Sequence, residues 1–173
     1  MLPQNLFQIH LVAGYVACLL LFSTYILPRL RAMGGFEAQR AIATLHSFRF
    51  FGLAFLLTGV VGPGLPAGFT VFSAYGDFAT AVLAMLALLA ARVGAKGLRP
   101  LFWSFVAAFN VVGMVDLIVD YYHAIHLNLP AHAGQFGAMY IVPVIYVPML
   151  MITHVVALYW LVRPEARAKS VAA

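Results

Sequence analysis

The chain has 173 residues, of which 64% are hydrophobic and 9% charged, and a formal net charge of +5. A mean hydropathy of +0.98 excludes an ordinary soluble domain and places the sequence in the integral-membrane class. The positive charge does not build a nucleic-acid surface, because the basic residues are divided among separate loops.

Five apolar stretches, at residues 6–27, 41–61, 69–91, 101–122 and 139–162, are each long enough to cross a hydrocarbon core of about 30 Å. They predict an all-α bundle of five transmembrane helices in one domain over residues 1–173. The first segment has no basic residue before it and too long an apolar run for a signal peptide, so it reads as a retained helix. His10, Gly14, Ala17, Leu21, Thr24 and Pro28 recur on one of its faces, a small-residue stripe suited to close helix packing. Cys18 is the only cysteine, so no intramolecular disulfide is possible.

The second segment carries His46 and Arg49, and the turn-rich run from Gly62 to Gly68 joins it to the third. In the third, Asp77, Thr80, Ala81, Ala84, Leu88 and Ala91 form another small-residue face. The fourth holds Asp116, Asp120 and His123. At 100° per residue, Asp120 lies about 40° from Asp116 and His123 about 20° on the other side, a wedge of roughly 60°. An ionised Asp at the centre of a membrane helix costs about 2.5–3.5 kcal/mol, so the cluster marks a protein interior or a wet cavity. Gly113, on the same face, would admit a neighbouring helix. The fifth segment carries His154, and Pro143 and Pro148 should bend it. The carbonyls freed near residues 139 and 144 would then be available to line a cavity.

Arg29, Arg31 and Arg40 lie between the first two segments, Arg92, Lys96 and Arg99 between the third and fourth, and Arg163, Arg167 and Lys169 after the fifth. The two other connections contain no Lys or Arg. This alternation predicts an N-terminus outside and a C-terminus in the cytoplasm of a multi-pass inner-membrane protein.

Counting from helix ends divides the polar residues into two layers. Asp116, Asp120, His123, Asp77 and His10 form an outer one. His46, Arg49 and His154 form an inner one, with Arg49 and His154 about 13 Å inside the cytoplasmic ends.

Several chemistries fit. Asp116, Asp120 and His123, with His10 or Asp77, offer a carboxylate–imidazole set for a metal ion. His46 with His154, or His10 with His123, would clamp a b-type haem. The outer cavity would alternatively bind a small lipid-like molecule, as carrier or enzyme, with paired carboxylates supporting proton-linked chemistry. A non-catalytic accessory subunit, or a homo-oligomer, would use the small-residue faces for a partner chain.

The five-helix plan with membrane carboxylates, and Tyr140-Ile141-Val142-Pro143 followed by Pro148, resembles the sterol-isomerase and sigma-2-receptor group over that one short stretch. The group's acidic residues find no one-by-one counterparts in this chain, so the resemblance carries no site residue across.

The expected topology has a direct check. A cysteine placed between residues 126 and 132 should react with an impermeant maleimide from outside the cell. Reaction only from the cytoplasmic side would overturn the orientation.

Overall fold

The computed structural model describes residues 2–93 and 98–163, and it is helical almost throughout. Lys96, Arg167 and Lys169 of the basic loops lie outside the described residues. Helix α1 runs Pro3–Ala32, α3 Ala67–Val93, α4 Arg99–His126 and α5 Val142–Val162. Each of these four is long and apolar enough to cross a membrane.

The second expected span is built differently. It is an α-helix, α2, over Gly35–Ser47, continued by a 3-10 helix over Phe48–Leu56. With three residues per turn, a 3-10 helix stacks positions i and i+3 in line. Arg49, Gly52 and Phe55 are its buried residues, while Phe48, Phe50 and Phe51 point outward. The tighter helix thus aims one charged, one small and one aromatic position at the same neighbours.

Proline sets several boundaries. Pro3 opens α1 and Pro100 sits in the first turn of α4, where a missing N–H is harmless. Asn128, in the left-handed region at φ 49°, follows the end of α4. Pro143 lies within a π-helical turn at Val142–Tyr146 and Pro148 just beyond it, the expected distortion of the fifth segment. The Val144 carbonyl faces Gly14 of α1, so close that any Cβ at position 14 would collide with it. That carbonyl therefore supports helix packing, and the expectation that it lines a cavity is not met.

Of the stripe expected on α1, Gly14 is the member in tight contact; His10, Ala17, Leu21, Thr24 and Pro28 are exposed. Phe7, Cys18 and Phe22 provide the buried face instead. The stripe on α3 packs as expected, with Thr80, Ala81 and Ala84 wholly buried.

Two apolar clusters form the core. One includes Ala38, Ile42, Ala84, Phe102, Val106 and Trp160, towards the end of the bundle that carries the arginine-bearing loops. The other includes Phe7, Phe55, Phe69, Leu129, Phe136 and Met139, near the 62–68 hairpin. Along α2, α3, α4 and α5 the buried polar residues lie between the positions that enter these two clusters.

A 3-10 stretch over Leu129–Tyr140, interrupted by non-helical backbone at His132 and Gly137, caps the hairpin end. It is tied down by Gly62 N–H donating to the Gln135 carbonyl at 2.7 Å and Ala138 N–H donating to the Val60 carbonyl at 3.2 Å. Helix α1 packs on this stretch and on α5.

Replacing Gly14 by Val should push α1 away from α5, at a cost of about 1–3 kcal/mol for the overpacked contact. Thermal unfolding of the variant in detergent checks this; an unchanged midpoint would show that the close approach is not required.

Candidate functional site

Arg49 is completely buried, and it is the centre of the site. Its Nε donates to Asp77 Oδ1 at 2.6 Å and its Nη2 to Asp116 Oδ2 at 2.5 Å. One planar guanidinium thereby joins α3 to α4 from the 3-10 continuation of α2, using donors that a point-like ammonium lacks. Nη1 lies 3.1 Å from His154 Nε2 and 3.4 Å from the Gly113 carbonyl.

These contacts fix the histidine tautomer. Arginine only donates, so His154 Nε2 must accept, and its proton sits on Nδ1. Nδ1 then donates to Asn110 Oδ1 at 2.9 Å, and Asn110 Nδ2 donates to the Val106 carbonyl at 2.8 Å. His46 Nε2 is 3.0 Å from Thr153 Oγ1, whose hydroxyl also reaches the Met149 and Leu150 carbonyls. With the threonine proton on a carbonyl, His46 donates through Nε2, and its buried Nδ1 has no partner.

Three glycines make room for these groups. An ideal Cβ at Gly52 would fall 2.6 Å from Asp77 Cβ, one at Gly76 would overlap the Asp116 carboxylate, and one at Gly113 would lie 2.7 Å from Arg49 Nη1. Each side chain larger than hydrogen would displace part of the ion network.

The two expected layers are therefore one. Arg49 and His154, assigned to the inner layer, touch or adjoin Asp77 and Asp116, assigned to the outer. The physical reason is helix length. From the true start of α2 at Gly35, Arg49 is about 20 Å along; Asp116, ten residues before the end of α4, is about 15 Å deep. Both positions move towards the middle.

His10 does not join the cluster. It is exposed, and its Nδ1 pairs with the Tyr140 hydroxyl at 2.9 Å. His123 packs edge-on to Phe72 at 5.2 Å between ring centres, with a buried Nδ1 that has no partner. Asp120 accepts from Ser73 Oγ at 2.7 Å through Oδ2.

The proposed ligand sets fare accordingly. Among the described residues no group of three His, Cys, Asp or Glu side chains is placed to hold a metal ion, so Asp116, Asp120 and His123 do not form the expected centre. Asp116 is turned to Arg49, Asp120 to Ser73 and His123 to Phe72. The His46 and His154 rings lie 3.9 Å apart, too close to admit a macrocycle, and both His154 nitrogens are engaged. The expected haem clamp there is not met.

Beside the ion cluster lies a cavity of about 370 Å³. Gln8, Ser73, Asp77, Asp120, Tyr121 and Asn128 form its polar lining, and Phe7, Phe55, Phe69 and Phe136 line it with aromatic rings. The Tyr121 hydroxyl is 2.5 Å from that of Tyr15 on α1. Ser73, Asn110, Tyr121 and Thr153 were not foreseen from the sequence. Ser73 sits four residues before Asp77, and Asn110 continues the Gly113–Asp116–Asp120 face, so helical spacing held a signal for both.

A family model described as "Domain of unknown function (DUF8737)" matches residues 6–162, a span that includes every residue of this site. The chain belongs to that family. No curated protein and no solved structure matches it.

Removing the guanidinium should leave two buried carboxylates uncompensated. Arg49→Met is expected to cost about 3–5 kcal/mol of stability. Arg49→Lys should recover only a small part, because one ammonium cannot reproduce the forked contacts. Unfolding of the three proteins in the same detergent checks both; a methionine variant as stable as the wild type would contradict the assignment.

Proposed function

We propose that this is a five-span inner-membrane protein, N-terminus outside, that binds a small and largely apolar molecule in the cavity beside Arg49, Asp77 and Asp116. The carrying observation is the cavity itself: about 370 Å³ of space, walled by phenylalanine rings and furnished with two carboxylates, a serine, a tyrosine and the amides of Gln8 and Asn128. Ligand pockets have this character, with apolar walls and a few placed polar groups, in a range of about 300–1,000 Å³.

Supporting the five-span reading, α2 and its 3-10 continuation connect one core cluster to the other, from Ala38 to Phe55. Thirteen residues of α-helix and nine of 3-10 helix reach about 37 Å, more than the roughly 30 Å of a bilayer core. Arg29, Arg31, Arg92, Arg99 and Arg163 all fall at ends of spans that this topology puts on the cytoplasmic side. On this orientation the cavity belongs to the outer half of the protein. The cap formed by Leu129–Tyr140 supplies Leu129, Pro130 and Phe136 to its lining.

The ion cluster gives such a pocket a rigid base. Asp77 belongs to both, since it binds Arg49 and also lines the cavity. Polar chemistry in the cavity is thereby linked to the helices that hold the bundle together.

Ala124 lines the cavity, and a tryptophan there should fill much of it. Mass spectrometry of organic extracts should find a small molecule co-purifying with the wild-type protein and depleted from Ala124→Trp. Identical extracts from two equally well-folded proteins would remove the proposal.

A further inference from the structure

The cavity's charged lining has a single sign. Asp77 and Asp120 reach it, and among the described residues no Lys, Arg or His does. Arg49 is already committed to Asp77, Asp116, His154 and Gly113, so its hydrogen bonds serve two carboxylates and not Asp120. Asp120 accepts one hydrogen bond, from Ser73, and its other oxygen is buried without a donor. A buried acceptor left unpaired is costly, and a charged donor makes the strongest hydrogen bond to a carboxylate.

The apolar walls point the same way independently. Phe136 stands within ring-contact distance of Phe7, Phe55 and Phe69, at 5.8, 6.3 and 5.9 Å between centres, and Phe55 and Phe69 are 5.5 Å apart. Grouped aromatic faces attract organic cations through their ring quadrupoles. A carboxylate or phosphate head would meet carboxylates with no free cation to offset it. A bare metal ion finds no set of three His, Cys, Asp or Glu donors among the described residues.

We propose that the ligand is a monovalent organic cation, an amine with one short apolar tail, whose ammonium group donates to Asp120 against the phenylalanine faces while the tail fills the apolar remainder of the cavity. This rests on the cavity being a ligand site, as proposed above, and assigns the class of molecule it takes.

Three probes of equal length separate the two claims: n-octylamine, n-octanol and n-octanoate, titrated calorimetrically into the full chain in lipid nanodiscs, with empty discs subtracted. Octylamine, protonated at neutral pH, should bind at least about tenfold more tightly than octanol, and octanoate should not bind measurably. Asp120→Asn should abolish the amine's advantage over octanol. Phe69→Leu, which removes a ring face but keeps an apolar wall, should weaken the amine more than the alcohol, and it serves equally if the asparagine variant misfolds. Equal binding of amine and alcohol, or an advantage that survives both substitutions, would overturn the cation assignment. If octanol binding persists and is lost in Ala124→Trp, the cavity stands without it. Absence of binding by all three probes would remove both.

Discussion

A single buried guanidinium determines how this bundle is assembled. Arg49 has no exposed surface, and an uncompensated charge in such a place would oppose folding by several kcal/mol. Two carboxylates from two other helices compensate it, and they can do so only if α2, α3 and α4 meet at one depth. His154 and Asn110 complete the arrangement by accepting the remaining donor and passing the hydrogen bond on. The bridge between Glu37 and Arg40, with both side chains about half exposed, carries no comparable weight.

The unusual backbone that continues α2 follows from that demand. A 3-10 helix keeps Arg49, Gly52 and Phe55 in register, so the charge, the opening for Asp77 and a cavity wall share one face. Gly76 and Gly113 remove side chains where the carboxylate and guanidinium must pass. Apolar packing around Phe102 and Ile42 lies on one side of the polar layer, and the cluster around Phe136 and Phe69 that walls the cavity lies on the other. The cavity adjoins the layer at Asp77, which is where apolar space meets fixed charge.

Much of this was visible in the residues. The energetic cost of Asp116 pointed to an interior position, which it occupies, and Gly113 marked the close approach. The small face of α3 was legible because Thr80, Ala81 and Ala84 obey helical spacing and all became buried. The pairing of Arg49 with Asp77 and Asp116 was missed because apolar runs are shorter than the helices that contain them. Counting depth from Arg40 and Tyr122 instead of Gly35 and His126 separated residues that touch. The stripe through His10 and Ala17 misled for another reason: a small residue facing lipid has the same spacing as one facing a helix, and only Gly14 met a neighbour's backbone closely. The metal reading failed on orientation, since a wedge of roughly 60° on a helix still allows Asp116, Asp120 and His123 to choose different partners.

The central claim is that Arg49 and Asp116 stabilise the protein through each other. A double-mutant cycle of Arg49→Met, Asp116→Asn and the combined variant, read as unfolding free energy in one detergent, measures that coupling directly. The account predicts a double variant much more stable than the sum of the single losses implies, with a coupling of about 2 kcal/mol or more. Additive losses would show that the two residues act independently, and that the bundle is not organised around this ion pair.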